Sequence, residues 1–367
     1  MRIKFIFWVV LLVVISNIKT AEAQDLHFSQ YYFSPLTLNP ALTGRMREDY
    51  RAVLNYRSQW RQINSTYATS ALSADMNFKP GSKFIDKVGV GMVFINDELA
   101  SGANPGDGTG MFNGITKNVY FMLSGAVHKT IDKRQRHKIS IGIQGGYVQT
   151  GLNPSGLSSN NQFQSSNYTF NPNTPFGSPL RTTPFGYADI NAGAFWDFNI
   201  NPKVDVYAGI SLFNLNNPKE ALYTVAQDKN KLPNRSVTTI GFGYKISERV
   251  SILPSFVLQD DANAIDFIVG SAASYKMLSA KPTKAFTLLG GLFYRMEDAA
   301  IVMLGAKFRN YQAAFSYDAT TSSLNNVKND PAIGSRAQVN AFEISLIYVG
   351  FFQRAIPNQT SIPCRFF

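Results

Sequence analysis

The sequence predicts an all-β protein, a transmembrane antiparallel β-barrel of about fourteen strands preceded by a periplasmic or plug-like N-terminal segment. Three observations point there. Segments of about ten residues alternate apolar and polar side chains to the end of the chain. After the N-terminus, no apolar run reaches the ~20 residues a membrane-spanning helix needs. The four longest connectors all fall on one side of the alternating segments and the short turns on the other, an asymmetry that a water-soluble β-sandwich has no reason to obey.

Residues 1–23 have the form of a secretory signal. Arg2 and Lys4 supply a basic start, Phe5 to Ile15 an apolar stretch too short to span a bilayer, and Ala21-Glu22-Ala23 a small-residue cleavage site. Cleavage before Gln24 removes three cations (Arg2, Lys4, Lys19) and one acid (Glu22), taking the net charge from +11 to +9. That balance favours acidic surfaces such as outer-membrane lipid headgroups. The basic residues are scattered, and an exported chain does not meet nucleic acid as a working partner, so none is expected. The single cysteine, Cys364, excludes an internal disulfide framework. It is expected either to be buried at the periplasmic rim or to pair with a partner chain.

Residues 24–48 form an aromatic, proline-containing segment: Gln24-Asp25-Leu26-His27-Phe28-Ser29-Gln30-Tyr31-Tyr32, then Pro35, Leu38-Asn39-Pro40 and Gly44. Pro35 and Pro40 make it a poor strand and a worse helix. It is read as a tucked-in arm, or as a plug or docking segment at the periplasmic mouth, with His27, Phe28, Gln30, Tyr31, Tyr32, Asn39 and Pro40 as its candidate contact residues. With an even strand number, both termini are expected on the short-turn side.

The barrel is assigned to residues 49–350. Strands are expected near 49–60, 66–78, 86–96, 118–130, 137–151, 187–200, 203–214, 235–246, 249–259, 263–276, 283–296, 299–308, 310–319 and 339–350. In the second, Ala68, Ser70, Leu72, Ala74, Met76 and Phe78 oppose Thr69, Ala71, Ser73, Asp75 and Asn77. In the fifth, Ile139, Ile141, Ile143 and Tyr147 oppose Ser140, Gly142, Gln144 and Gly146. The long connectors, near 97–117, 152–186, 215–234 and 320–338, are rich in turn formers such as Asn104-Pro105-Gly106-Asp107-Gly108 and read as surface binding loops or lids. Residues 351–367 are a C-terminal periplasmic tail.

Chemistry is sparse. His128 and His137 flank a short turn with no carboxylate or cysteine completing a ligand set, so they read as polar residues at headgroup level rather than a metal site. No nucleophile motif accompanies any histidine, and neither an enzyme nor a cofactor is expected. Gly89-Val90-Gly91 and Gly241-Phe242-Gly243 read as close packing in the barrel wall. Asp75, Asp189, Asp197, Lys245 and Glu343 fall on the polar face of their strands and would point into the lumen. There they would form either a mutually neutralising network or, in a passive porin, a pore lining.

The chain also resembles the PorP/SprF family. The similarity lies in His27-Phe28-Ser29-Gln30, Leu38-Asn39-Pro40-Ala41-Leu42-Thr43-Gly44, Tyr56-Arg57-Ser58-Gln59-Trp60, Gly145-Gly146-Tyr147-Val148-Gln149, Asn217-Pro218-Lys219-Glu220 and Ser316-Tyr317-Asp318. The last strand, Ala341 to Tyr348, and the terminal Cys364-Arg365-Phe366 resemble the family too, although members often carry Cys-Pro-Arg-Phe and here Pro363 precedes the cysteine. The resemblance implies an integral outer-membrane component of the type IX secretion and gliding-motility machinery. It implies export or anchoring of large secreted surface adhesins with a C-terminal sorting domain, and links to periplasmic ring or motor components. Mass spectrometry of the mature protein should find Gln24 at its N-terminus; retention of residues 1–23 would contradict the secretory reading.

Overall fold

The computed structural model describes residues 28–60, 65–101, 114–152, 163–164, 169–170, 183–219, 231–261, 264–277, 286–322 and 340–352. The signal segment, Gln24, His27, the tail beyond Phe352 and Cys364 lie outside these. Fourteen antiparallel strands close into one barrel. They are β1 (Tyr50–Gln59), β2 (Ser65–Phe78), β3 (Lys87–Ser101), β4 (Gly114–Thr130) and β5 (His137–Leu152). Then come β6 (Phe185–Asn201), β7 (Val204–Phe213), β8 (Arg235–Lys245), β9 (Val250–Asp261) and β10 (Ala264–Met277). Last are β11 (Phe286–Arg295), β12 (Ala299–Phe308), β13 (Tyr311–Thr320) and β14 (Ala341–Gly350). Each strand pairs with its sequence neighbours, and β1 pairs with β14 to close the seam, Arg57 opposite Glu343 and Asn55 opposite Ser345. A two-residue ribbon, Phe163–Gln164 with Thr169–Phe170, lies in the connector after β5. The expected strands are all present, with ends displaced by a few residues where hydrogen-bonded pairing outlasts the alternation. Beyond Asn96, for example, β3 continues to Ser101 through a register shift between Leu99 and Ala100.

The alternation has the sense expected of a barrel in lipid. Outward positions such as Leu72, Met92, Leu123, Ile143, Leu292 and Leu304 are exposed hydrophobics. The opposite positions, among them Arg57, Asp75, Ser140, Asn191, Ser316 and Glu343, are buried and polar. Water would favour the reverse arrangement, because exposed apolar area costs ~25 cal/mol per Å². Outward aromatics mark both ends. At the short-turn end, Tyr311 packs on Tyr348 with centroids 5.0 Å apart, Tyr50 on Phe352 at 5.3 Å, and His137 stacks on Phe198 at 4.3 Å. At the long-connector end, Tyr56 meets Phe342 at 6.0 Å and Trp60 meets Tyr67 at 6.4 Å. Amphipathic rings at two levels are the girdles of a bilayer-spanning barrel. Among the described residues no helix is long and apolar enough to cross a membrane.

Connector parity places the turns 131–136, 202–203, 246–249 and 309–310 at one end and the connector that begins at Asn214 at the other. In a Cys364→Ser background, a cysteine at exposed Asn217 should react with an impermeant maleimide on intact cells. One at Arg134 should react only after the outer membrane is permeabilised, and the opposite pattern would invert the topology.

Candidate functional site: a plugged lumen

The segment after Phe28 fills the lumen. It forms three short helical turns, Tyr31–Phe33, Pro35–Leu38 and Pro40–Leu42. Pro35 and Pro40 stand at the first positions of their turns, where the missing N–H has no helical partner to lose. Proline therefore starts local turns here rather than forbidding them, which corrects the expectation that the segment would avoid helix. The Asn39 side chain caps the last turn, accepting the Ala41 N–H at 2.9 Å.

The plug begins among the long-connector ends of β1, β11, β13 and β14. Glu343 accepts the backbone N–H groups of Ser29 (2.9 Å) and Gln30 (3.1 Å). Gln30 Nε2 donates to Ser316 Oγ at 3.0 Å and to the Glu343 carbonyl at 2.9 Å. Ser29 Oγ donates to Asp318 at 2.5 Å and accepts from Arg57 at 2.5 Å and Arg295 at 2.6 Å. Arg57 and Arg295 both approach Asp318, at 3.0 and 3.2 Å, so two guanidinium groups face two carboxylates around one serine. The chain then descends. The Tyr31 hydroxyl meets Tyr32 (2.7 Å) and Ser255 (2.8 Å). Asn39 donates to the carbonyls of Ala194 and Ile210.

At the short-turn end a second clamp repeats the logic. Asp75 takes Arg51 bidentately, at 2.9 and 2.7 Å, and also accepts the Gly44 N–H at 2.7 Å. Gly44 has φ +67°, a left-handed turn that favours glycine. Arg45 forms an ion pair with Asp197 and lies 4.4 Å over the Phe195 ring. His128 is buried between Ser140 Oγ (2.7 Å) and the Thr43 carbonyl (2.9 Å), so it seats the plug rather than standing at headgroup level as expected. His137, stacked with Trp196 and Phe198, does sit in the outward girdle.

Between the clamps the lumen has two kinds of wall. Tyr31, Tyr32, Phe33, Leu38 and Leu42 pack with Tyr207, Phe213, Val257, Ile268, Phe293 and Met303 into one apolar cluster. Fully burying a side chain such as Phe33 or Leu42 contributes ~1.5–3 kcal/mol relative to exposing it. On the other side, Gly89, Ala126, Gly142 and Gly193 lie directly opposite one another across β3 to β6. A Cβ on Gly89 would overlap the Thr43 carbonyl, one on Gly142 the Pro40 carbonyl, and one on Gly193 the Asn39 side chain. This row of small residues lets the plug backbone lie against the sheet.

Of the candidate contact residues, Phe28, Gln30, Tyr31, Tyr32, Asn39 and Pro40 are buried inside the barrel, and His27 lies outside the described residues. The segment thus occupies the plug position. Its first described residues, among them Ser29 and Gln30, lie at the long-connector end, which corrects the expectation of a segment confined to the periplasmic mouth. Of the polar-face residues, Asp75, Asp197 and Glu343 hold the plug directly. Asp189 is linked to it through two side chains, accepting Asn191 Nδ2 at 3.0 Å; Asn191 also donates to Gln144, which donates to the Leu36 carbonyl. Lys245 shares their parity but is exposed at the last residue of β8. Arg57, Arg51 and Asp318 were not singled out from sequence, although strand parity places them inward and two of them lie in the motifs Tyr56-Arg57-Ser58-Gln59-Trp60 and Ser316-Tyr317-Asp318. Arg45 and Arg295 carried no comparable signal. Among the described residues no group of three His, Cys, Asp or Glu is placed to hold a metal ion.

Apolar side chains outside and charge inside invert the plan of a water-soluble protein, and the class is that of an integral outer-membrane β-barrel. The solved structures most similar to it include the Pseudomonas putida toluene transporter TodX, at 9% identity and TM-score 0.50, covering 91% of this chain and 96% of that one. A Pseudomonas aeruginosa FadL homologue matches at 10% identity and TM-score 0.48, covering 85% and 92%. At such identities the likeness concerns the fold alone. No curated protein matches. Residues 20–348 match the family model described as type IX secretion system membrane protein PorP/SprF, and the chain belongs to that family. It is a membrane component of type IX secretion and a partner of other components of that machinery.

Removing one member of a buried, hydrogen-bonded ion pair costs ~3–5 kcal/mol. Arg57→Ala should therefore lower sharply the temperature at which the barrel loses its fast, folded migration in detergent gels. Lys129→Ala, at a solvent-exposed pair, should cost under ~1 kcal/mol and barely shift it. Equal shifts would remove the clamp's energetic role.

Proposed function

We propose that the protein is a non-catalytic, closed anchor that holds a secreted surface adhesin bearing a C-terminal sorting domain and connects it to periplasmic ring or motor components of the gliding and secretion machinery. The observation that carries this reading is the plug. A passive porin needs a continuous aqueous path, whereas this lumen holds a segment fixed at both ends by buried carboxylates and arginines. The plug runs from the long-connector end to the short-turn end, so one covalent segment touches both membrane levels. Family membership supports the secretion role, and the buried positions of Phe28 to Pro40 leave the connectors and rims as the surfaces that meet partners.

Deleting residues 24–43 while keeping the signal tests both halves of the proposal. The deleted protein should still insert as a barrel, should lose co-purification of an adhesin or ring component, and should conduct ions in a planar bilayer where the wild type does not. Normal adhesin display by the deletion strain would reduce the plug to a filler. Steady conductance by a wild-type protein that co-purifies with nothing would establish the porin instead.

A further inference from the structure

The short-turn end carries charge that the plug does not use. The 79–86 connector and the 131–136 turn are neighbours. Thr130 N–H donates to Asp86 at 2.6 Å, Lys129 Nζ donates to the Lys83 carbonyl at 2.7 Å, and the same ammonium lies 3.2 Å from Asp86. This arc presents Lys79, Lys83, Lys129, Lys133, Arg134 and Arg136 to solvent. Its two acids are turned to internal work. Asp132 accepts the backbone N–H groups of Arg136 and His137, both at 2.8 Å, and Asp86 is held by Thr130 and Lys129. The His137 and Arg136 N–H groups keep the Asp132 carboxyl below its ordinary range. Partial burial pushes Asp86 the other way, but its bonds from Thr130 and Lys129 outweigh that and hold it low as well.

Two large apolar side chains stand in the middle of these cations. Phe84 is 84% exposed and Ile131 59% exposed. The patch lies just beyond the girdle formed by His137, Trp196 and Phe198. Cations with protruding apolar residues at the level where lipid headgroups begin are the pattern of an interfacial anchor. A surface meant only for an acidic protein would have no reason to expose an aromatic ring at the bilayer edge.

We propose that this arc binds anionic phospholipid headgroups of the adjoining leaflet, the cations meeting phosphate and Phe84 and Ile131 entering the boundary with the acyl chains. The site would fix the barrel's rotation and depth on one side, leaving the rest of the rim for protein partners.

Native mass spectrometry of the full-length protein in detergent, titrated with phosphatidylglycerol and with phosphatidylcholine of the same acyl chains, tests it. The wild type should bind phosphatidylglycerol several-fold better, and added salt should reduce the difference. The variant Lys83→Gln/Lys133→Gln/Arg134→Gln/Arg136→Gln should lose the preference while retaining folded migration. Arg134→Lys/Arg136→Lys should retain it, and Phe84→Ser should weaken both lipids and leave their ratio. Equal binding of the two lipids by the wild type overturns the proposal, as does a preference that survives the fourfold variant. If polyglutamate binds the wild type and not the variant while the lipids are not distinguished, the patch belongs to an acidic polypeptide and the lipid site is refuted.

Discussion

Backbone satisfaction of an irregular segment inside a barrel is the constraint on which the rest depends. The plug has neither a long helix nor a strand to absorb its N–H and C=O groups, and buried groups without partners cost free energy. The wall supplies the partners. Glu343 takes two plug N–H groups and Asp75 a third, while Arg51, Asn55, His128, Gln144 and Ser211 reach plug carbonyls. Each of those two buried carboxylates must then be neutralised, which is why an arginine accompanies it: Arg57 for Glu343, Arg51 for Asp75. The inward charges of the strands follow from the plug's need for partners.

The same requirement explains the asymmetry of the lumen. The three turns direct most of their aromatic and leucine side chains to one flank and backbone to the other, while Phe28 and Leu36 pack separately against Ala71, Val93, Ile95 and Met122 of β2 to β4. The aromatic flank faces β6 to β12, whose inward positions include Phe195, Tyr207, Val257, Ile268 and Phe293. The backbone flank faces the row Gly89, Ala126, Gly142 and Gly193, where side chains would block the approach. A wall that was apolar or glycine-lined all round would satisfy only one flank.

Much of the fold was legible because alternation with period two reports strand faces directly, and because loop lengths report which end is which. Asp75, Asp197 and Glu343 could be placed inward on parity alone. Their partners were harder to see. Parity also placed Arg57, but nothing local says that it will meet Asp318 and Arg295 from strands far along the chain, since barrel closure alone brings β1 beside β14. His128 misled for a related reason: proximity to a turn suggested the bilayer surface, whereas its even position in β4 pointed it at Thr43. The direction of the plug was hidden because an even strand count fixes where β1 begins, not how far the preceding residues travel before reaching it.

The location of the upper clamp has a mechanical consequence. Arg57 and Glu343 are opposite one another on β1 and β14, and so are Asn55 and Ser345, where the first and last strands close the barrel. Ser29 and Gln30 bind Glu343 from within, Phe33 accepts Asn55 Nδ2 at 3.2 Å, and the same amide donates to Ser345 at 2.8 Å. Plug and seam thus share their hydrogen bonds. Withdrawing the plug would leave Glu343, Asp318, Arg57 and Arg295 buried without Ser29 between them, and would do so at the one strand pair whose members are joined through the rest of the chain rather than by a turn. The plug therefore reinforces a seam that β1 and β14 already close by their own backbone pairing. A load applied to either would be resisted by the clamps at both ends and by the apolar cluster between them, a property that an anchoring barrel requires and a diffusion pore does not.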